Sequence, residues 1–308
     1  MVKEEVLKKY MMDDDEKDSS KKTVSYSQIS MYHQCQYKWY LTYVEKKGKS
    51  EDNIYLIFGS SIHTVLQKYL NSVYNGTVSE ADSMDLEKLL FDELKLEFKK
   101  SFEKNGTFPA SKDEMSEFLQ DGFEILRWFK KHRGDYFSKK GYKLLGCEIP
   151  IIINLKNNLQ FIAYIDIVLQ DIIGNRILIK DFKTSTRGWN EYQKKDESKI
   201  QQMVLYKKFY SEKYGIPLDN IDIEYIILKR KLNENSYYPQ KRIQTFSPAS
   251  GTVTTSKVIN NLNLFINECF TEEGEYNFNR TYFKNANDKN CKYCEFSNNK
   301  SICDKLNK

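Results

Sequence analysis

Three consecutive runs in the middle of the chain, KLLGCEIPIIINL (143–155), LQFIAYIDIVLQD (159–171) and RILIKDFKT (176–184), constrain the fold more than any other feature. They are rich in β-branched and aromatic residues, and KNN and IIGN between them carry hairpin-turn chemistry. Helical periodicity surrounds this meander. SYSQISMYHQCQYKWYLTYV predicts a helix from about Ser27, and IYLIFGSSIHTVLQKYLNSVYNG a second, capped near Ser60 or Ser61 and closed at Gly76. Two long amphipathic stretches follow, within 84–104 and 112–141. After the meander come a helix at about 195–214, the strand IDIEYIILKR, another strand near RIQTF and a helix over about 254–270. This order predicts an α/β (α+β) fold, a mixed sheet flanked by helices with a helical N-terminal region. The expected organisation is a flexible charged tail at 1–22, a helical region at 23–143, a core at 144–285 and a cysteine-bearing segment at 286–308.

Turn counting gives the meander a register. A four-residue loop over 172–175 sets Asp166 opposite Asp181, and a turn centred on Asn157 sets Glu148 opposite Asp166. Opposed residues on antiparallel strands share a face, and Lys183 lies on the same face as Asp181 by strand alternation. Acids and lysines on a solvated sheet face are common, and a one-residue slip would break the alignment. With Ile165, Ile167, Ile179 and Phe182 as neighbours, however, the expected cluster is Glu148, Asp166, Asp181 and Lys183, partly buried. Like charges placed together in this way need neutralising. A hard divalent cation held by carboxylate oxygens would do so, and the lysine could then hold or polarise a water for attack on a phosphodiester.

Composition sets broader limits. Over 308 residues the formal charge is +5, compatible with nucleic acid without requiring it. No apolar run approaches the roughly 18–20 residues of a membrane span. The first residues lack a signal core, so the expectation is a cytoplasmic protein, with no membrane partner. In a reducing compartment, clustered cysteines bind metal more often than they form disulfides. Three of the six cysteines close the chain: Cys291 and Cys294 in C-x2-C spacing, then Cys303. A tetrahedral site needs a fourth ligand. Cys147 and Cys269 fall in a predicted strand and helix and read as core thiols. No G-x4-G-K-[ST] sequence is present, so any helicase activity must come from a partner.

The elements AYIDIVLQD, ILIKDFKTS and QQMVLYKKFY together resemble the RecB-like branch of the PD-(D/E)XK nuclease superfamily, and FGSSIHTVLQ is similar to its Gly-x3-His element. The resemblance runs from about Ser25 to Cys303. Two positions depart from the pattern, Ala163 where Gly is usual and Gln67 where an acid is frequent. It implies a restriction-endonuclease-like mixed sheet and a DNA nuclease dependent on Mg²⁺ or Mn²⁺. Asp166, Asp181, Lys183, Gln202 and Tyr206 are the implied catalytic set, and His63, Glu148, Asp166 and Asp181 the implied metal ligands. Gln202 and Tyr206, four apart on one helix face, would position the nucleic-acid backbone or Lys183.

The iron–sulfur members of that branch, AddB-type and CRISPR-associated exonuclease-like proteins, carry one cysteine before the core and three after it. The matching positions are Cys35, Cys291, Cys294 and Cys303, although Gln36 replaces a frequent proline. The resemblance implies a [4Fe–4S] cluster, with Zn²⁺ as the alternative for the same four thiolates. The segment would then act as a C-terminal clasp on residues 23–45. The implied substrate is DNA, single-stranded or with free ends, in replication, recombination or repair, with a helicase or recombination partner. Lys180, Arg187, Lys194 and Lys195 are candidate phosphate contacts, and Trp189 a candidate stacking platform. The alternatives are a catalytically silent DNA-binding subunit and a zinc-stabilised structural adaptor.

Overall fold

The helix that carries His63 starts at Asn53, not at Ser60 or Ser61. The Asn53 side chain accepts from the backbone N–H groups of Tyr55 and Leu56, a complete N-cap. The computed structural model describes residues 17–48, 52–233, 235–292, 294–297, 299 and 301–303. Residues 1–16, most of the expected charged tail, lie outside them.

In chain order the described residues form β1 (Lys22–Val24), α1 (Tyr26–Gln34), α2 (Gln36–Trp39), α3 (Ile54–Asn75), α4 (Val78–Ser83), α5 (Leu86–Asn105) and α6 (Lys112–His132). The meander follows as β2 (Tyr142–Leu155), β3 (Leu159–Asp171) and β4 (Arg176–Ser185). Then come α7 (Glu191–Lys194), α8 (Glu197–Tyr214), β5 (Ile221–Lys229), β6 (Ile243–Phe246), α9 (Thr252–Cys269) and α10 (Asp288–Cys291). This is the mixed α/β arrangement expected. The chain divides into two compact units. The described residues of the first come from Glu51–Ile149 and Tyr164–Ala249, and those of the second from Asp14–Ser50, Pro150–Ala163 and Ser250–Lys308.

In the first unit β3 and β4 pair antiparallel, with Ile167 opposite Lys180 and Asp171 opposite Arg176, around the turn expected at 172–175. Asp171 Oδ1 accepts from the backbone of Ile173 and Gly174 and closes that turn. β5 lies parallel to β4, and parallel neighbours require a long crossover, which α8 supplies. Asp196 caps the start of α8, and Gly215, with φ of 66°, ends it. β6 pairs antiparallel with β5. One face of the sheet, with Phe182, Ile226 and Leu228, joins the core under α3, α5 and α6, where Phe58, Ile62, Leu66 and Phe129 are buried. Gly122 allows the close helix packing: a Cβ there would lie 2.3 Å from Leu90 Cδ2.

In the second unit β1 adds parallel to the start of β3, Lys22 opposite Leu159 and Val24 opposite Phe161. Cys35 interrupts the first helical run in an extended conformation (φ −160°, ψ 109°), so α1 and α2 are separate, and a π-helical turn follows at Tyr40–Val44. Trp39 is fully buried among the rings of Tyr32, Phe265, Phe270, Tyr276 and Tyr282. The asparagines of the Asn157 turn adopt left-handed φ (57° and 50°), which Asn tolerates.

Where β5 ends in the first unit, Arg230 is only 6% exposed. Its Nη1 donates to Asp121 Oδ2 at 2.9 Å, and its guanidinium lies 3.7 Å from the Phe118 ring centre. Removing one partner of such a buried pair strands the other charge. Asp121→Ala should therefore cost about 3–5 kcal/mol in a urea titration, whereas an exposed control such as Asp92→Ala should stay within about 0.5 kcal/mol.

Candidate active site

Carried one residue beyond Ile167 and Lys180, the β3–β4 register sets Asp166 opposite Asp181, as turn counting expects. Asp181 is 2% exposed and Asp166 is mostly buried. The carboxylates are held differently. Asp166 Oδ2 accepts from the backbone N–H of Phe182 at 2.7 Å and lies 3.4 Å from His63 Nδ1. Asp181 Oδ2 meets the Lys183 ammonium at 2.6 Å as an ion pair outside hydrogen-bond geometry, and its Oδ1 accepts from Gln202 Nε2 at 3.4 Å. His63 thus reaches the strand acids from α3, although it lies about a hundred residues earlier in the chain.

Burial dominates the electrostatics. It pushes Asp166 and Asp181 up to about 6, the Lys183 charge opposing the rise in both; neighbouring acids add to it, Glu148 at Asp166 and Asp166 at Asp181. Burial, seconded by Lys183, lowers His63 to about 4 despite the opposing charge of Asp181. The imidazole is therefore neutral at pH 7 with a lone pair available. His63 Nε2 is buried and has no hydrogen-bond partner among the described residues. A neutral imidazole whose Nδ1 faces Asp166, with the desolvated Asp181 on the neighbouring strand, is the type of donor set that suits a divalent cation. The set is not closed: among the described residues no group of three or more His, Cys, Asp or Glu side chains is gathered tightly enough to hold a metal ion.

Glu148 reaches this neighbourhood by a local break in β2, not by uniform alternation. Its φ is 52°, left-handed and unusual for a residue within a strand, and its side chain is exposed. Gln67 Nε2 donates to Glu148 Oε1 at 2.6 Å, so the departure at Gln67 supplies a hydrogen bond where an acid would repel. Gln202 Nε2 also donates to Tyr206 Oη at 2.9 Å. The Gln/Tyr pair consequently bears on Asp181, whereas the expectation was the nucleic-acid backbone or Lys183. Tyr225, which the sequence reading did not single out, completes this layer. It is buried opposite Asp181 on β5, and its hydroxyl lies 2.7 Å from Lys199 O and 3.2 Å from Gln202 Oε1. The Lys183 ammonium stands 5.7 Å from its ring centre. The parallel β4–β5 register that puts it there has no signature in a short turn.

Two expected nucleic-acid contacts do not fit their placement. Lys180 points to the opposite face from Asp181, is buried, and pairs with Glu224 beneath the Phe137 ring. Trp189 is 8% exposed, packed against Tyr225 and Phe246 and covered by Lys199. Alternation turns the first inward, and the aromatic core absorbs the second. Arg187 and Lys195 are exposed, and Lys194 pairs with Glu191 at 2.7 Å.

In the second unit Cys35, Cys291, Cys294 and Cys303 line one cavity of about 20 Å³ with Tyr37, Leu41 and Phe296. All four are free thiols, and among the described residues they are not gathered tightly enough to hold a metal ion, unlike the ligand set that the resemblance implies. Asn285 N donates to Cys35 Sγ at 3.4 Å, and Asn285 and Asn290 both donate to Gln34 O. Tyr37 Oη donates to Ile302 O at 3.2 Å. Burial raises the Cys303 thiol, with small contributions from the other three cysteines, while Lys284 opposes the rise. Cys147 is pushed up to about 12 by burial and its Sγ contacts Gln67 O, while Cys269 is fully buried and raised in the same way. Both are unreactive core thiols.

The sequence pattern of the PD-(D/E)XK nuclease superfamily matches residues 23–304. The chain belongs to that superfamily. Its substrate class is accordingly nucleic acid, and nucleases of this superfamily generally use a divalent metal. Among solved structures it is similar to one from Eubacterium rectale that bears the name "Putative exonuclease", with 14% identity over 80% of each chain and a TM-score of 0.45. No curated protein matches the sequence significantly. No helix among the described residues is long and apolar enough to cross a membrane.

The raised carboxyls give the site a pH signature. A carboxyl with a raised folded-state pKa destabilises the fold above that pKa, and the penalty fades as pH falls towards its ordinary value near 4. His63 works in the opposite sense, losing stability between about 6.5 and 4. Without metal, Asp181→Asn should therefore melt above the wild type at pH 8, and the difference should shrink below about pH 6 and vanish near pH 4. Added Mn²⁺ should raise the wild-type melting temperature at pH 8 and progressively less below about pH 6, where protons compete for the same oxygens; Asp181→Asn should respond little at either pH.

Proposed function

We propose that the protein is a Mg²⁺- or Mn²⁺-dependent DNA nuclease, an exonuclease acting on single-stranded DNA or DNA ends in replication, recombination or repair. The observation that carries the reading is the pair of buried carboxylates on adjacent strands, Asp166 facing His63 Nδ1 and Asp181 ion-paired to Lys183. Asp166, Asp181 and His63 would hold the cation, with Glu148 a further candidate ligand, and the cation would supply Lewis-acid charge at the scissile phosphate. Lys183 holds the attacking water by donating to it and opposes the negative charge that builds on the phosphoryl oxygens. Gln202, anchored by Tyr206 and Tyr225, fixes Asp181 while Lys183 shifts its contact towards the reacting groups. The Phe182 amide does the same for Asp166, and the low dielectric around both strengthens each interaction.

The test is digestion of end-labelled linear and of circular DNA, single- and double-stranded, with Mg²⁺ and with Mn²⁺. Linear single strands should be degraded and circles spared; nicked circles would replace the exonuclease reading with an endonuclease one. Lys183→Ala should lower the rate about 10²–10⁴-fold. Equal inertness of the wild type and Asp181→Ala under both metals would favour a silent DNA-binding subunit.

We further read the four cysteines as ligands of a [4Fe–4S] cluster, supported by four thiols on one small cavity and by the Asn285 N–H directed at Cys35. Four protein thiolates leave no open position for substrate, so the role is structural, joining residue 35 to residues 291–303 across the sequence. Anaerobically purified protein should be brown and contain iron, and Cys35→Ser should lose both the iron and several degrees of melting temperature. Stoichiometric zinc without iron would overturn the cluster and leave zinc in the same role.

A further inference from the structure

β4 and β5 run parallel, so both leave the sheet at the same end, just past Lys183. The described residues of the segments that follow them, 186–195 and 230–233 with 235–242, are stitched together at their bases. Arg230 N donates to Ser185 O and Lys231 N to Thr186 O at 2.9 and 2.8 Å. The Gln244 amide accepts from Trp189 N at 2.7 Å and donates to Trp189 O at 3.0 Å. Arg230, held by Asp121, also reaches Thr186 Oγ1 at 3.4 Å. Buried polar contacts thus hold the base of both segments, while their tips face solvent.

Those tips carry large rings with almost nothing on them. Tyr192 is 88%, Tyr237 100% and Tyr238 81% exposed. Arg187, Lys195 and Lys241 are exposed on the same segments, with no ion-pair partner among the described residues. Interleaved free cations and solvent-facing aromatic rings suit a polyanion whose bases are unstacked, since every base offers a π-face and every linkage a phosphate. The location fits as well. Ile227 stands opposite Lys183, and three further residues at about 3.3 Å each bring β5 to Arg230, about 10 Å on. A strand whose phosphate lay at Lys183 would reach the tyrosines within a few nucleotides.

We propose that these two stitched segments form one binding rim for unpaired nucleotides, in which Tyr192, Tyr237 and Tyr238 stack on bases and Arg187, Lys195 and Lys241 meet phosphates. The rim takes over the role that Trp189, being buried, does not fill. It rests on the nuclease reading for the position of the cut, not for the binding itself.

The test is fluorescence anisotropy with labelled oligothymidylate, oligouridylate and a blunt DNA duplex, using the full chain with Asp181→Asn in metal-free buffer. Tyr192→Ala, Tyr237→Ala and Tyr238→Ala combined should weaken binding of both single strands by at least about tenfold. The same three positions changed to Phe should stay within about twofold, and duplex binding should move little in either variant. Changing Arg187, Lys195 and Lys241 together to Ala should flatten the plot of log affinity against log salt by about 2, from three phosphates at about 0.7 each. A normally melting Tyr-to-Ala variant with unaltered affinity would overturn the rim, as would a parent that binds no single strand. Catalysis is scored separately, on the wild-type chain with Mn²⁺. A protein that binds through the tyrosines but never cleaves would remove the nuclease reading and leave the rim standing.

Discussion

Two carboxylates buried side by side at the junction of β3 and β4 are the constraint on which the first unit turns. In water each would be ionised at neutral pH with no cost. Under the aromatic and aliphatic cover of this sheet, desolvation disfavours both charges, and their neighbours are arranged in response. Lys183 sets a positive charge against Asp181, the Phe182 amide donates to Asp166, and Gln202 reaches Asp181 from α8. None of these cancels the penalty. The charge balance is left unfinished among the described residues, and under the proposed function a cation would complete it.

The supporting layer shows how that site is kept rigid. Tyr206, Gln202 and Tyr225 form a chain of contacts between a helix and a neighbouring parallel strand, so the oxygen of Asp181 is located by two elements at once. A wandering carboxylate would weaken both metal affinity and water placement. The buried Arg230–Asp121 pair performs a comparable service at the end of β5, where it anchors the segments that leave the sheet beside the site. In the second unit the same logic applies to thiols. Cys35 sits in an extended break between two helices, and hydrogen bonds bring Asn285 and Asn290 to Cys35 and Gln34, and Ile302 to Tyr37.

Much of this was legible in the sequence because it depends on local chemistry. IIGN and the Asn157 turn each close a hairpin with few residues, so the pairing of Asp166 with Asp181 follows from counting. Gly76 and Gly215 close their helices, and Gly215 does so with the left-handed φ that glycine adopts freely. Counting failed where geometry departs from regularity. Glu148 comes near Asp166 as counting expects but with a left-handed φ that counting does not foresee, and α3 begins at Asn53 because an asparagine cap lies upstream of the serines that looked like one. Lys180 and Trp189 looked like surface residues by type, yet alternation and aromatic packing put both inside.

By itself, then, the sequence determined the meander, its register, the ordered acids and lysine, and the four cysteines separated by most of the chain. The meander and its register follow from turn chemistry and periodicity, which act over a few residues, while the set of four cysteines was implied by the family resemblance. Only the tertiary structure decided that His63 approaches Asp166, that Tyr225 buttresses Gln202, and which rings stay in water. Those facts depend on parallel strand pairing and helix packing across long stretches of chain. Burial and electrostatic neighbourhood are properties of the folded arrangement, and no local pattern encodes them.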